Sequence, residues 1–453
     1  MSSSHKIPGF RGRVLTSDDT EYELARLTGN AAFDSHPVLI ARSADAADVV
    51  AAVRWARATG QTLALRSGGH SVSGHSTGDG VAVLDLGALN DMTFDDDDRT
   101  AWVGPGVKAA DFTKAAYERG GAVSFGDTGT VALGGLIPGG GIGWLVRKYG
   151  LTIDSLLAAE LVTADGETLT VSANVEPDLF WALRGGGSNF GVVTRYLLHP
   201  NPIGQVLNGT LLMRATNAVV RAVMDYGQSS ADDLTLMPYI MAIPPVVEVP
   251  VAEHGRLGLW VDTLWAGNAE AGDRVLAGLR AIGPILMDTM EQKPFPQVYP
   301  EPSGDRSAWT ASSIYLDTVD DGVVETIIDE LSAAPLGANL AILRILGGAA
   351  GRVANDATAY GWRDRRFLAW LIADYAPVDV ASHASHAAWV CNFRAALADR
   401  GSGAFVNFTA ADDPVAVASA YPPATLARLR SLKRRWDPDN LFRHNHNILP
   451  AEA

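Results

Sequence analysis

Apolar and polar residues follow two different patterns along the chain, and the first pattern covers about 200 residues. Short apolar runs predict strands at 37–42, 62–65 and 80–86. Between the first two runs, apolar residues at helical spacing predict a helix over 44–59, with Ser43 as its N-cap and Gly60 as the residue that ends it. Further signals predict a helix over 107–119, a hairpin over 156–172, a helix over 176–183 and a strand over 192–198.

Beyond residue 200 the pattern changes to an alternation of apolar and polar residues with period two, which is typical of strands that bury one face. It predicts strands at 234–243, 256–264, 340–345 and 367–374, and helices at about 268–281, 321–333 and 379–399. This is the pattern of an antiparallel sheet covered by helices on one face. Residues 404–408 begin a return to the first domain, followed by a helix over 426–436 and an ordered C-terminal tail.

Composition and charge narrow the class of protein. The 453 residues, 47% of them apolar, are enough for two to three domains with a large core. A net charge of −15 argues against nucleic acid or an anionic membrane as a partner. Cys391 is the single cysteine, so no disulfide forms within the chain. The N-terminus lacks the apolar core of a signal peptide and no apolar run has the length of a membrane span, so we expect a cytoplasmic protein.

Glycine is concentrated in the first 200 residues, where four glycine-rich stretches indicate one cofactor site. The first loop, Arg66 to Ser71, ends a predicted strand, the second lies at 126–143, and the others lie at 185–191 and around Gly104. The second loop contains too much glycine for an ordinary helix. Glycine leaves peptide N–H groups accessible to a phosphate-bearing ligand, and Arg66 is the candidate for its charge. His70 lies at the rim, so the residues alone predict a histidine in contact with a cofactor.

Other motifs point to chemistry that their surroundings do not support. Residues 104–109 match a loose dinucleotide fingerprint, but no acidic residue ends a strand about 20 residues later. Residues 74–78 match a nucleophile elbow, yet a strand follows instead of a helix, so a serine hydrolase built on Ser76 is a remote alternative. The acidic run 95–98 predicts a solvated turn. Two histidine pairs, 383/386 and 444/446, lack further ligands at suitable spacing, so we predict no metal site.

Four stretches together resemble a known family. They are Arg66-Ser-Gly-Gly-His70, the glycine-rich run 133–150, the run 179–191 that ends in Gly-Gly-Gly-Ser-Asn-Phe-Gly, and the tail 436–448. These motifs are similar to those of the berberine bridge enzyme-like flavoproteins of the vanillyl-alcohol oxidase superfamily, and the match is weakest in the middle of the chain. The resemblance implies an α+β, p-cresol methylhydroxylase-type fold: an FAD-binding domain over 1–200, an inserted substrate domain over 201–404, and a C-terminal segment, 405–453, that returns to the FAD domain.

The resemblance also implies FAD, with the imidazole of His70 bonded to the 8-methyl carbon of the flavin. Thr128 takes the place of the cysteine that forms a second link in some relatives, so a single histidyl link is expected, and the tail is expected to form a strand that closes over the flavin. The expected FAD contacts are Arg66, Ser67, Gly68, Gly69, His70, Ser71, Thr128, Gly129, Gly134, Gly135, Gly139, Gly140, Gly141, Gly143, Gly187, Asn189, Gly191, Val193, Asn445 and Asn447.

The implied reaction takes a hydride from a C–H bond next to a hydroxyl or amine of a small molecule. Val131 aligns with the family's oxygen gate, where valine resembles the oxidases that reduce oxygen to hydrogen peroxide. The family's catalytic bases align with Ala369 and Phe408 and are therefore absent. Substitutes by location are Tyr239, Asp262 and Tyr315.

Several alternatives stay open. Within the class they are a dehydrogenase with another acceptor and an oxygenating tailoring enzyme of secondary metabolism, and outside it a non-catalytic flavin carrier. Tryptophans in the middle domain indicate an aromatic or sugar-like ligand, or simply a core. The sequence predicts neither the substrate nor the oligomeric state.

Overall fold

The computed structural model describes residues 6–245, 247–301, 306–376, 380–411 and 413–452. Its strands are β1 (Arg13–Leu15), β2 (Leu39–Arg42), β3 (Leu63–Arg66), β4 (Ala82–Asp85), β5 (Met92–Phe94), β6 (Ala101–Val103), β7 (Gly121–Ala122), β8 (Leu156–Val162), β9 (Thr168–Ser172), β10 (Val192–Leu198), β11 (Asn201–Pro202), β12 (Gln205–Arg214), β13 (Leu234–Ala242), β14 (Leu257–Trp265), β15 (Met287–Asp288), β16 (Glu291–Pro294), β17 (Ala308–Leu316), β18 (Leu340–Ile345), β19 (Phe367–Tyr375) and β20 (Gly401–Ser402). Its helices are α1 (Tyr22–Ala25), α2 (Ala46–Thr59), α3 (Ala109–Tyr117), α4 (Leu133–Gly139), α5 (Val146–Tyr149), α6 (Pro177–Leu183), α7 (Asn217–Ser229), α8 (Ala269–Arg280), α9 (Asp321–Ser332), α10 (Gly348–Arg352), α11 (Val380–Ala396), α12 (Pro414–Ala418) and α13 (Pro423–Trp436).

The first sheet has the order β1-β2-β4-β3, with β2 and β3 both parallel to β4. Helix α2 connects β2 to β3 and ends at Gly60, whose φ of 71° confirms the predicted stop. The predicted N-cap at Ser43 is wrong, because the backbone N–H of Ser43 still extends the sheet by donating to the carbonyl of Asp85. Asp45 caps the helix instead, with a side chain that accepts from the N–H groups of the first turn.

The second sheet has the order β5-β6-β10-β8-β9, and every pair in it is antiparallel. It confirms the predicted hairpin over 156–172 and the turn at 95–98, which joins β5 to β6. The glycine-rich run contains a short helix, α4, which the prediction excluded. Leu133, Leu136 and Ile137 of α4 are buried in the core beside this sheet, and this packing outweighs the low helix propensity of glycine.

The third sheet joins nine antiparallel strands in the order β15-β12-β14-β13-β18-β19-β17-β20, with β16 also paired to β12. The four predicted strands are confirmed. The prediction missed β12, β17 and α7. The two strands escape prediction because their alternation of apolar and polar residues is interrupted. Asn208, Gly209 and Thr210 interrupt it in β12, and the buried Ser312 and Ser313 interrupt it in β17.

The two faces of the third sheet have different surroundings. Helices α7, α8, α9 and α11 pack against one face over a continuous apolar core. The other face carries Tyr239, Arg344 and Trp370 toward the first two sheets, as alternation along antiparallel strands requires. Among the described residues, no helix combines the length and apolarity that crossing a bilayer requires.

The C-terminal residues return to the first part of the chain. Helix α13 packs on α6, where the guanidinium of Arg428 lies 3.9 Å from the ring centre of Trp181. The tail after α13 is ordered, as predicted, but it is not the expected strand: residues 440–452 form no ladder with a neighbour. Hydrogen bonds from Lys433 and to Asp437 hold it instead.

Candidate active site

A cavity of about 420 Å³ lies where the three sheets meet. Its walls come from the loop after β3, the run 126–142, the loop 187–193, the tail 442–446, and the two tryptophans Trp309 and Trp370 of the third sheet. The predicted cofactor or gate residues that line it are Ser67, Gly68, Gly69, His70, Ser71, Thr128, Val131, Gly134, Gly135, Gly141, Gly187, Asn189, Gly191, Val193 and Asn445. Residues far apart in sequence thus converge on one site.

Four predicted contact glycines lie behind the cavity wall, where close packing requires them. A Cβ on Gly143 would lie 1.4 Å from the carbonyl oxygen of Phe125. A Cβ on Gly139 would lie 2.3 Å from the side chain of Asn407, and Gly129 and Gly140 are similarly enclosed. These glycines shape the wall but do not line the cavity, so the structure does not support direct contact with the cofactor.

Two further residues predicted to contact FAD, Arg66 and Asn447, do not line the cavity. The guanidinium of Arg66 donates to Asp85 and to the carbonyl of Ala25, both at 2.7 Å, so its charge is already balanced inside the first sheet. The side chain of Asn447 is exposed outside the cavity, although that of Asn445 lines it. The tail lacks strand geometry, so residues two apart do not share a face.

The lining suits FAD. Within the described part of the chain, the N–H groups of residues 67–71 donate no hydrogen bond, and such a run of free amides can bind a pyrophosphate. The side-chain oxygen of Asn445 is buried without a hydrogen-bond partner. Gly135 has open space where a Cβ would lie, and Val131 and Val193 offer apolar surface to a flat ring system. The donor set therefore matches the phosphates and flat ring of the cofactor.

The His70 side chain lines the cavity, and on its other side the ring packs against the backbone at Gly29. Burial, together with the nearby charge of Lys108, lowers its pKa, while a hydrogen bond to the backbone of Thr130 opposes that shift. The imidazole is therefore neutral at neutral pH and available as a nucleophile. A Cβ on Gly29 would lie 3.7 Å from His70 Nδ1, so the ring packs closely against backbone on that side.

Thr128 occupies the cavity wall at the position expected for a second covalent link. Its hydroxyl donates to Asp127 at 3.1 Å, and it carries no thiol. Cys391 lies on α11, which packs on the far face of the third sheet. The chain therefore brings no cysteine to the cavity.

Tyr239 and Asp262 form a hydrogen-bonded pair beside the cavity, although neither lines it. Tyr239 packs near Val72 and Trp370, which do line it. Asp262 also accepts from the hydroxyl of Thr210 at 2.5 Å. Burial raises the pKa of Asp262, and burial and the nearby carboxylates raise that of Tyr239 well above its usual value. The neighbours of Tyr239 therefore do not favour its ionised form.

Tyr315 lies in the packed core, and the structure does not support a catalytic role for it. Its side chain is fully buried, and its hydroxyl donates to Tyr360 at 2.7 Å. Burial also raises its pKa far above the ordinary phenol value. It does not line the cavity.

Three aromatic rings form the end of the cavity next to the third sheet: Phe408 and two of the middle-domain tryptophans that indicated a ligand, Trp309 and Trp370. Trp370 stacks on Phe408 with 4.2 Å between ring centres, and Trp309 meets Trp370 edge-on. Ala369, which was aligned with a family base, is buried in the core under the helices. The register therefore places Trp370, and not Ala369, on the cavity side.

Three histidines, His75, His444 and His446, gather on the cavity wall near the first loop. The ring of His75 lies 5.6 Å from that of His444 and 4.9 Å from that of His446. Among the described residues, no group of side chains has the arrangement of a metal site. The hydroxyl of Ser76 is buried without a partner, so it lacks the hydrogen bond to a base that a hydrolase requires.

Acid pH is expected to destabilise the protein through two of these histidines. Burial lowers the pKa of His75 to about 3 and that of His446 to about 4. In the unfolded chain both take up protons below about pH 6.5, so stability falls from there toward pH 4 by up to about 1.4 kcal/mol per pH unit for each histidine. Urea unfolding across this range measures the slope. His446→Asn should flatten it and the exposed His199→Asn should not; equal slopes in all three proteins would contradict the account.

Comparison with known proteins gives consistent similarities. Residues 37–172 match an FAD binding domain, and residues 404–449 match the family described as berberine and berberine like. The chain is 29% identical to (R)-6-hydroxynicotine oxidase of Paenarthrobacter nicotinovorans, over 99% of each protein. It is 30% identical to the FAD-linked oxidoreductase OXR1 of Pyricularia oryzae, over 81% of this chain and 74% of the relative. The solved structure of 6-hydroxy-D-nicotine oxidase from Arthrobacter nicotinovorans superimposes with a TM-score of 0.84 at 27% identity, covering 98% of each chain.

Proposed function

Because the chain belongs to the berberine bridge enzyme-like family of FAD-dependent oxidoreductases, we propose that it is an oxidase with covalently bound FAD. Its substrate is a small molecule that carries a C–H bond next to a hydroxyl or an amine, and oxygen is reduced to hydrogen peroxide. The observation that carries the proposal is the position of His70, which lines the cavity at the end of a run of free backbone N–H groups. Residues 1–200 and 405–453 form the FAD domain in this proposal, and 201–404 the substrate domain.

A single histidyl link to the flavin follows from the composition of the cavity wall. His70 supplies the nucleophile, and Thr128 replaces the thiol that a second link would need. The free amides of residues 67–71 bind the pyrophosphate. Such a histidyl bond withdraws electrons from the flavin and favours its reduction by substrate.

Access for oxygen is proposed at Val131. This half-buried side chain lines the cavity next to the loop that carries Asp127 and Thr128. A valine leaves space beside a flat ring that a longer leucine would fill. This supports an oxidase over a dehydrogenase with another acceptor.

Proton removal is proposed to run through Tyr239 and Asp262. When bound, FAD supplies the hydride acceptor of the reaction. Tyr239 packs behind Val72 and Trp370, which line the cavity, so the proton of the substrate hydroxyl or amine reaches Tyr239 Oη through an intervening water. Tyr239 passes its own proton to the Asp262 carboxylate in the same step. The raised pKa of Asp262, due to burial, makes this carboxylate a better base near neutral pH than an exposed aspartate.

Removing either group should slow flavin reduction with little effect on folding. Tyr239→Phe and Asp262→Asn are each expected to lower the rate by about 10²–10⁴-fold, the usual contribution of a positioned acid or base. Tyr315→Phe is the matched control, because it removes a buried phenol hydroxyl outside the cavity and should change the rate by less than about twofold. Anaerobic stopped-flow reduction by a working substrate measures all three. If the flavin of the Tyr239→Phe protein is reduced at the wild-type rate, Tyr239 does not take part in proton removal.

The proposed activity is tested by turnover with a panel of sugars, alcohols, amines and polyketides. Anaerobic bleaching of the flavin identifies a substrate, and admitting air should then produce hydrogen peroxide in step with consumption of that substrate. Bleaching without peroxide would indicate a dehydrogenase, and incorporation of oxygen into the product an oxygenating enzyme. If no class of compound in the panel bleaches the flavin, the result favours a non-catalytic flavin carrier.

A further inference from the structure

A buried ion pair joins the glycine-rich loop to the third sheet at the aromatic end of the cavity. Arg344, on β18, donates to Asp127, which lies next to Thr128 and lines the cavity. The side chain of Arg344 is only 3% exposed. Its guanidinium also lies 4.8 Å from the ring centre of Phe408 and 5.9 Å from that of Trp370. One cation therefore holds a carboxylate and two aromatic rings around the same space.

The cluster holds two carboxyl groups, Asp127 and Asp262, and one guanidinium. Among the described residues only Arg344 forms an ion pair with either carboxyl group, and its partner is Asp127. Burial alone would raise the pKa of Asp127, but Arg344 and the hydroxyl of Thr128 hold it below its usual value. Asp127 is therefore ionised at the cavity wall, and beyond its bond to Arg344 the carboxylate has further lone pairs that can accept from a charged N–H donor in the cavity.

Beside Asp127, this end of the cavity presents mainly aromatic and apolar surface. Trp309, Trp370, Phe408 and Val72 line it, and the hydroxyl of the neighbouring Ser73 is engaged with the carbonyl of Thr409. The amide of Asn407 is engaged with the carbonyls of Gly135 and Leu136. A sugar needs several hydrogen-bond partners, whereas aromatic faces with one carboxylate suit an apolar body that carries a single positive charge.

We propose that the site takes an aromatic or apolar amine, with Asp127 binding its ammonium group and Trp309, Trp370 and Phe408 enclosing its body. This inference rests on the proposed function for the position of the reacting C–H bond, but the binding preference itself does not. Arg344 acts as a positioning residue: it fixes the carboxylate of Asp127 and does not meet the substrate. The amine gives up its proton toward Asp262 before the hydride leaves.

The test compares two probes with the same body, 2-phenylethylamine and 2-phenylethanol, on the holoenzyme. Titration calorimetry of the chemically reduced holoenzyme under anaerobic conditions gives both dissociation constants, because the reduced flavin cannot accept a further hydride. The amine is expected to bind at least about tenfold more tightly than the alcohol. Asp127→Asn alone would leave Arg344 buried without a partner, so the variant is Asp127→Asn with Arg344→Met, which removes both charges of the pair together.

In that double variant the preference for the amine should fall to about one. The matched control is Asp165→Asn with Arg57→Met, which removes an exposed ion pair outside the cavity and should keep the wild-type preference. Equal binding of both probes to the wild type, or an unchanged preference in the double variant, would overturn the inference. If alcohols bind and bleach the flavin and amines do neither, the inference of an amine substrate is wrong but the proposed oxidase activity is supported. Amines that bind selectively, with no compound bleaching the flavin, would instead overturn the proposed oxidase.

Discussion

Replacing His70 by alanine is expected to release all of the FAD when the purified protein is precipitated with acid. In the wild type the flavin should stay with the polypeptide, because the imidazole of His70 opens into the cavity and burial keeps it neutral. No thiol lies on the cavity wall to form a second link. Absorbance of the pellet and of the supernatant measures the two fractions.

Cys391→Ala is the control for that experiment and should retain the flavin, since α11 packs on the far face of the third sheet. The His70→Ala protein should still bind FAD without a bond, through the free amides of residues 67–71. Its reduction potential should fall, and about 30 mV for this two-electron couple corresponds to about tenfold in the equilibrium for substrate oxidation. Free flavin in the wild-type supernatant would show that no covalent link exists.

Replacing Lys433 by methionine is expected to lower the free energy of unfolding by about 3–5 kcal/mol. Lys433 and Asp437 are completely buried, and the ammonium donates to Asp437 and to the carbonyl of Asn189 at 2.7 Å and to that of Phe442 at 2.9 Å. Without it, Asp437 remains buried and without its cation. The same bonds hold the tail against the loop that contains Asn189, so FAD binding should weaken as well.

Arg434→Met is the matched control on the same helix. Arg434 is exposed, and its guanidinium donates to the carbonyl of Ala451. Its loss should change stability by no more than about 0.5 kcal/mol. Urea unfolding of the two variants gives the comparison, and a loss of less than about 1 kcal/mol for Lys433→Met would show that the buried pair contributes little.

Local signals predicted much of the fold. The hairpin over 156–172 has an Asp-Gly turn, and Gly60 ends α2 in the left-handed conformation that favours glycine. The glycine loops were recognised as parts of one cradle, because each places bare backbone at the end of an apolar run. In contrast, the sequence does not predict β17, because its consecutive buried serines break the period of two. The hydroxyls of these serines form hydrogen bonds with other segments, such as the bond to Asp413.

The chemistry of the site was less predictable, because it depends on pairing across the chain. Arg66 has the residue type and position of a phosphate ligand, but its partner Asp85 is known only once β3 and β4 are paired. Asp127 lies in the glycine-rich run 126–143 and Arg344 in a predicted strand, but they are 217 residues apart, and no local pattern pairs them. The sequence therefore does not predict the ion pair at the cavity wall. The burial of Tyr315 beside Tyr360 depends on the fold in the same way.

The reaction of the reduced protein with oxygen tests the central claim most directly, because it needs no knowledge of the substrate. The holoenzyme is reduced chemically under anaerobic conditions and mixed with oxygenated buffer in a stopped-flow instrument. The account predicts a rapid, oxygen-dependent return of the flavin absorbance with an equimolar yield of hydrogen peroxide, and a slower return in the Val131→Leu variant. A flavin that stays reduced in oxygen but is reoxidised at once by an artificial electron acceptor would contradict the assignment as an oxidase.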